Sequence, residues 1–519
     1  MEKKNKMTKK LKLTSPGEVR VRFAPSPTGY FHIGAARTAF FNYLFVKKNQ
    51  GRFILRIENT DKERSKPEYE KDILESLKWL GMEWDEGPYR QSERAHVYTQ
   101  YIKKLLKEKK IYYCFCSLEE LEAHKNYLIS IGESPRYSEK CANLSEEEIA
   151  KNLKEKKSYV LRFKTPLKKV IFEDLLRGKI EQNSANFGDI VVARDLATPL
   201  YNLALVIDDF EMKITHVIRG EDHISNTPKQ ILLAEALGIE SPKYIHLPLI
   251  LGLDRAKLSK RHNIKSILEY KKEGYLAEAL INFLAFLGWS PRTEKEIFSL
   301  SALIQKFSLE GMQKSAAVFN LQKLDWINGF YIRQKSKEKL TELCFPYLIG
   351  ANLIETHFET EQYPPAYGAG IIEQKFIIKE TKEEISFECL MNIVGLYQER
   401  LKKLSEIPDL IDFFFKKKLI YPKELLSWKD AGEKEIKQFL EKLKKTLSKI
   451  KKENFTKQNL EQILLKLAGK IGEGDRGKLL WPLRVALSGK KASASPFEIA
   501  EILGKEKTIE RIEEAKKNF

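Results

Sequence analysis

The chain has 519 residues, 42% of them hydrophobic, and a formal charge of +19 from 91 Lys and Arg against 72 Asp and Glu. So long a globular chain calls for roughly three to five domains, and its cation excess fits either a polyanion partner or a solvated lysine-rich surface. Five cysteines do not suggest a disulfide framework at this length, the most apolar stretches, such as "ALINFLAFLGW", are too short to span a bilayer, and the basic lead has no signal-peptide core, so a reduced, cytoplasmic protein is expected.

In chain order, residues 1–17 read as a disordered basic lead. "EVRVRFAP" then alternates Val19, Val21 and Phe23 with arginines, the period of a strand. Residues 34–48 are rich in Ala, Phe and Leu and end in lysines, as a helix does. "GRFILRIENTD" is a second strand, and 67–80 a second helix, with Pro67 in its first turn and Gly81 just past its end. Strand–helix–strand–helix implies a parallel sheet with crossover helices. Residues 111–187 break that pattern and read as an insertion. Sheet text resumes with "GDIVVARD", "LYNLALVIDDF" and "ITHVIRGED". A helix follows in "NTPKQILLAEALG", capped by Thr227 with Pro228 at its first position, and then the buried strand "KYIHLPLIL". Beyond 262 the text is helical and increasingly lysine-rich, with a loop containing Pro, Gly and Tyr over 350–370 and no internal repeat.

The link between the first strand and helix, "PSPTGYFHIGA" (25–35), bears on chemistry. In such sheets ligands lie beyond the carboxyl ends of strands, and helix N-termini attract phosphate. Prolines and glycines shape the turn, Gly34 permits close approach, and His32 can donate to phosphate oxygens. A lone His-x-Gly would more often be an ordinary turn.

These residues resemble the "HIGH" signature of class I aminoacyl-tRNA synthetases as it stands in bacterial glutamyl-tRNA synthetases, and "KLSKR" (257–261) resembles the "KMSKS" signature. "LQKLDWINGFYIR" (321–333) and "GDRGKLLWPLRVALSGKKASASPFEIAEILG" (474–504) are similar to that family's text as well. The resemblance implies a Rossmann-like α/β catalytic domain with an inserted acceptor-binding subdomain, followed by an all-α stem-contact and anticodon-binding C-terminal region. The corresponding segments are 18–110 and 188–262 for the catalytic domain, 111–187 for the insertion, 263–345 for the stem-contact domain and 346–519 for the anticodon-binding domain.

Its implied activity is ligation of L-glutamate to tRNA(Glu) with ATP and Mg²⁺, by a cytoplasmic monomer. His32 and Lys260 would grip the ATP phosphates with Gly34 and Ser259, and Lys257 would be the second loop lysine. Arg22, Ser26, Glu58, Tyr201 and Arg219 would bind glutamate, the arginines facing carboxylates and Glu58 the amino group. Each of these, apart from Ser26, is expected at the carboxyl end of a strand. Arg400 is the candidate anticodon contact. The glutaminyl relatives typically read P-E-P-N-G where this chain has "PSPTG" and usually use β-barrels for the anticodon, so the glutamyl enzyme is favoured. A non-discriminating enzyme that also charges tRNA(Gln) and an inactive tRNA-binding paralogue are the alternatives. Ala35 and Asn59 depart from the usual residues of their motifs.

Cys114, Cys116 and Cys141 resemble the zinc-binding inserts of some family members, but Asn143 stands where a histidine would complete the set. Zinc prefers four ligands. With only Tyr137 or His124 as a fourth candidate, an insert without metal is expected.

Overall fold

The computed structural model describes residues 19–258, 265–355, 375–429, 431–471 and 475–519; the basic lead, Ser259, Lys260 and most of the 350–370 loop lie outside them. The alternation at the start forms strand β1 (Arg20–Phe23), and both its faces are covered, so Arg22 is as buried as Val21 and Phe23. Then come α1 (Ile33–Lys48), β2 (Arg52–Ile57), α2 (Pro67–Trp79), β3 (Glu86–Arg90) and α3 (Ala95–Lys107). The middle of the chain forms β4 (Ile111–Cys114), α4 (Leu118–Ser130), α5 (Glu146–Lys154), β5 (Val160–Phe163), β6 (Lys169–Asp174), β7 (Gly178–Asn183) and β8 (Val191–Ala193). It continues through α6 (Tyr201–Glu211), β9 (His216–Gly220), α7 (Thr227–Leu237), β10 (Lys243–Leu247) and β11 (Ile250–Leu251).

The main sheet has seven strands in the order β3-β2-β1-β9-β10-β6-β7. Every neighbouring pair is parallel except the β6–β7 hairpin. This is the doubly wound sheet that the strand–helix alternation implied, with β1 and β9 adjacent at its centre.

The insertion divides differently from the text. Its first strands, β4 and β5, form a three-stranded sheet with β8, which lies beyond residue 187. Its hairpin β6–β7 instead leaves that sheet and extends the main one through β10. "LYNLALVIDDF" is the helix α6, not a strand, so Tyr201 opens a helix. An unbroken apolar run shows neither period. Its 11 helical residues make about three turns, longer than most strands.

The remaining elements are α8 (Ile267–Lys272), α9 (Ala277–Phe286), α10 (Leu300–Lys306), β12 (Ala317–Val318), α11 (Leu321–Arg333), α12 (Lys337–Gly350), β13 (Ile354–Glu355), β14 (Lys375–Ile378) and β15 (Glu384–Ser386). The last five helices of the chain are α14 (Ile407–Ile411), α15 (Glu433–Ser448), α16 (Lys457–Ile471), α17 (Gly477–Ser488) and α18 (Pro496–Lys517), preceded by α13 (Phe387–Gly395). The C-terminal region is helical as expected, with one addition to the all-α reading: β13, β14 and β15 form a small antiparallel sheet. These strands are only 2–4 residues long, too short for a legible alternation.

The chain forms two compact units, one of residues up to 271 with 277–324, the other of 272–276 with 325–519. The division falls inside the 263–345 segment, and α12 runs unbroken across 345/346. No described helix is long and apolar enough to cross a membrane.

Candidate active site

The turn after β1 brings His32 to the N-cap of α1, where its Nδ1 accepts the Gly34 N–H at 3.1 Å. An accepting Nδ1 leaves the ring proton on Nε2. Desolvation by the surrounding protein lowers the imidazole pKa, so the ring is neutral near pH 7 and presents an Nε2–H donor. A Cβ on Gly34 would stand 3.1 Å from His32 Cε1. Glycine therefore lets the ring close over the helix end, a role in addition to the expected approach of ligand.

His32 and Gly34 line a cavity of about 350 Å³ together with Arg22, Glu58, Tyr201, Arg219 and Lys257. Arg22 lies on β1, Glu58 directly after β2, and Arg219 on β9, all at the carboxyl ends of adjacent strands. Ser26 is exposed and is not part of the lining.

Two lining residues, Arg22 and Glu58, belong to a buried ionic network. Arg22 Nε lies 3.1 Å from Asp209 Oδ1, and Arg56 Nη1 lies 2.8 Å from the same oxygen. Arg56 Nη2 donates to Glu58 Oε1 at 3.1 Å. Asp208 stands 3.8 Å from Arg56 Nε and accepts from Gln91, Arg94 and Tyr98, each at 2.8 Å. Burial alone would lower the Arg56 pKa, but Asp209, Glu58 and Asp208 together raise it, so it stays a cation. Burial pushes Asp209 up, and Arg22 and Arg56 outweigh that to hold it below the ordinary carboxylate value. At Glu58 burial wins over Arg56 and Arg22 and raises the carboxyl. A cation placed beside Glu58 would favour its charged form.

Arg219 forms the opposite wall. Its Nη2 donates to Thr227 Oγ1 at 2.8 Å and to Gln230 Oε1 at 2.7 Å. Its Nη1 is buried and has no hydrogen-bond partner. Such a group costs stability unless a ligand satisfies it. Tyr201 has its hydroxyl 3.2 Å from His223 Nδ1, and burial with nearby Glu58 pushes that hydroxyl up to about 12, keeping it neutral. Arg22, Arg219 and Glu58 thus offer two cations and one acid, a set suited to a dicarboxylate bearing an ammonium.

The reading from sequence missed Arg56, Asp208 and Asp209. Arg56 lies two residues before Glu58 on the same strand, and the acids sit side by side in the apolar run "LALVIDDF". Charges in such text signal buried partners. Asn59, a departure from the motif, exchanges two hydrogen bonds with Ser92, both at 3.0 Å, outside this network.

In the insertion, the Cys114, Cys116 and Cys141 sulfurs lie within 4.8 Å of one another, the one cluster of three or more metal-binding side chains among the described residues. The Tyr137 hydroxyl is 3.3 Å from both Cys114 Sγ and Cys116 Sγ, and Cys116 Sγ is 3.6 Å from Cys141 Sγ. Tetrahedral zinc with bonds of about 2.3 Å places sulfurs about 3.8 Å apart. The three thiols and Tyr137 therefore fit such an ion, whereas His124 is not in the cluster and packs near Tyr127. In the second unit Arg400 is exposed, with its guanidinium 5.6 Å from the Tyr397 ring centre.

Known proteins resemble this chain over nearly its whole length. Residues 18–326 match the family described as tRNA synthetases class I (E and Q), catalytic domain, and residues 339–516 match an anticodon binding domain. Similar curated proteins include glutamate–tRNA ligase 1 of Caldicellulosiruptor saccharolyticus, 44% identical over 96% of this chain and 98% of that protein. Glutamate–tRNA ligase 2 of Thermoanaerobacter pseudethanolicus is 42% identical over 96% of this chain and 98% of its own length. The crystal structure of a glutamate tRNA ligase from Elizabethkingia meningosepticum in complex with its amino acid matches with a TM-score of 0.81 at 34% identity, over 96% of this chain and 99% of that one.

Proposed function

The chain belongs to the class I tRNA synthetases of the E and Q type, and on that premise we propose that it is a glutamate–tRNA ligase acting on L-glutamate, ATP and tRNA(Glu). The observation that carries this reading is the buried Arg219 with its unpartnered Nη1, across one cavity from Arg22 and Glu58 and beside the His32-capped helix.

Glutamate binds with its carboxylates toward Arg22 and Arg219 and its ammonium toward Glu58, within reach of Tyr201. Ser26, from the turn, completes the set only if that turn moves inward. The glutamate α-carboxylate is ionised at neutral pH and attacks the ATP α-phosphorus without a strong base. The P–O bond to the leaving group breaks and diphosphate departs; Mg²⁺ brought in with ATP would neutralise the phosphate charge. His32 Nε2–H and the N-terminus of α1 stabilise charge on the phosphates, aided by Lys257, Ser259 and Lys260. The terminal ribose hydroxyl of tRNA then attacks the glutamyl carbonyl, and AMP leaves. The 111–187 insertion would grip the acceptor end, 263–345 the stem, and 346–519 the anticodon, with Arg400 as a contact. A zinc ion held by Cys114, Cys116, Cys141 and Tyr137 would be structural, cross-linking the insertion. The protein acts as a cytoplasmic monomer.

The test is charging with labelled glutamate and glutamine on purified tRNA(Glu) and tRNA(Gln), with ATP and Mg²⁺. Glutamate on tRNA(Glu) alone is expected. Glutamate on both tRNAs would replace this reading with the non-discriminating enzyme, and no charging by folded protein would sink it. His32→Ala should lower ATP–diphosphate exchange by about 10²–10³-fold; wild-type exchange would remove His32 from the machinery.

A further inference from the structure

Arg219 does not hold itself in place. Beside it on β10 lies His246, its direct partner in the β9–β10 register and wholly buried. Arg219 Nε donates to His246 Nε2 at 3.3 Å, a nitrogen that also lies 3.1 Å from Thr227 Oγ1. On the far side of the ring, Nδ1 lies 2.7 Å from Asp174 Oδ2, which also accepts the His246 backbone N–H at 3.0 Å. Asp174 is itself pinned. Its Oδ1 accepts the backbone N–H groups of Leu176 at 2.9 Å and Arg177 at 2.8 Å. The turn between β6 and β7 adds Arg177 Nε to the His246 carbonyl at 3.1 Å and the Leu175 N–H to the Tyr244 carbonyl at 2.9 Å.

These bonds dictate the protonation of the ring. An Asp174 carboxylate at Nδ1 requires a proton there, and a guanidinium N–H at Nε2 requires a lone pair. Burial, with Arg219 adding to it, lowers the imidazole pKa, in keeping with a neutral ring. His246 does not line the cavity, so it does not touch the reactants. It satisfies the Nε edge of Arg219 while Thr227 and Gln230 satisfy Nη2, and the one edge left over is Nη1.

We propose that His246, fixed in its tautomer by Asp174, is a positioning residue for substrate glutamate: it turns the Arg219 guanidinium so that Nη1 faces a glutamate carboxylate. The inference rests on the glutamate–tRNA ligase reading. It also ties the β6–β7 hairpin, which the sequence assigns to the insertion, to the amino-acid site.

The test is ATP–diphosphate exchange by the full chain with tRNA present, comparing His246→Leu, His246→Gln and Asp174→Asn. His246→Leu removes the acceptor for Arg219 and should raise the glutamate KM on the order of tenfold, with the ATP KM within about twofold of wild type. His246→Gln, whose amide oxygen can accept the Arg219 Nε–H, should recover most of that loss. Asp174→Asn, which no longer dictates the tautomer, should raise the glutamate KM by an intermediate factor. An unchanged glutamate KM, an equal change in both KM values, or a Gln variant no better than Leu would overturn the proposal. Should the Leu variant not fold, the Asp174→Asn measurement decides, and an unshifted glutamate KM there is fatal. Absence of glutamate-dependent exchange in the unaltered protein would instead overturn the function itself.

Discussion

The two compact units carry charge in opposite ways. In the first, Arg56 is fully buried among Glu58, Asp208 and Asp209, and Arg22 shares Asp209 with it. In the second, α15 buries Ile436, Phe439, Leu440, Leu443 and Leu447 along one stripe and turns its lysines outward. Its pairs, such as Lys444 with Glu513 and Lys516 with Glu441, sit at the surface. The one strongly buried cation described there, Arg511, donates to the Leu487 and Phe413 carbonyls, not to a carboxylate, and burial lowers its pKa to about 10. Buried ion pairs cost desolvation and are seldom a route to stability. Their presence around a cavity, and their scarcity in a helical unit built on apolar stripes, locates the chemistry in the first unit.

The sharpest way to break this contrast is Arg56→Gln. It leaves Glu58, Asp208 and Asp209 without their shared cation and should cost about 3–5 kcal/mol of stability, read by urea unfolding. A loss under about 1 kcal/mol would place the network among ordinary surface pairs.

Acid should come next. All described histidines lie in the first unit. Burial, and Lys243 nearby, lower His216 to about 4, and burial with Arg219 lowers His223 to about 4. The unfolded chain protonates histidine near about 6.5. The folded state therefore binds fewer protons between these values, so its stability is full above the upper one and falls as pH drops toward the lower. Moving from pH 7 to pH 5 should cost about 1–2 kcal/mol at His216 alone. Hydrogen-exchange protection, corrected for intrinsic rates, should drop in β9 and β10 and hold in α15. Equal losses in both would refute the contrast.

The smallest effect is expected at the surface. Lys444→Ala removes an exposed partner of Glu513 and should change stability by less than about 0.5 kcal/mol. A loss several times larger would mean that surface pairs hold the helical unit together.

Much of this was legible in the text, for local reasons. β1, β2 and α2 were found where the apolar period and the Pro67 and Gly81 boundaries placed them. The sequence also named Arg22, Glu58, Tyr201 and Arg219, which the fold brings to one cavity. It misread α6 as sheet text because a buried run lacks either period, and it missed β13–β15 because strands so short carry none. Arg56 is not legible as a site residue because a charge in a strand normally reads as a solvent-facing position, and only a second covering layer turns it inward; Asp209 is not legible because the run that holds it shows neither period.

By itself, then, the sequence determined the early strand–helix alternation of β1, α1, β2 and α2 and the turn that carries His32. These follow from period and turn-forming residues, which are local properties, whereas the roles of Arg22, Glu58, Tyr201 and Arg219 came from the resemblance to the family. Only the tertiary structure decided that Asp209 bridges Arg22 and Arg56, that Tyr137 stands among three cysteines, and that Asp174 reaches His246 from the β6–β7 hairpin to orient Arg219. Apart from that of Tyr137 with Cys141, each of those contacts joins residues 20 or more apart in the chain. What pairs them is the burial of charge or thiol where water cannot serve as partner, a condition that exists only once the layers have packed.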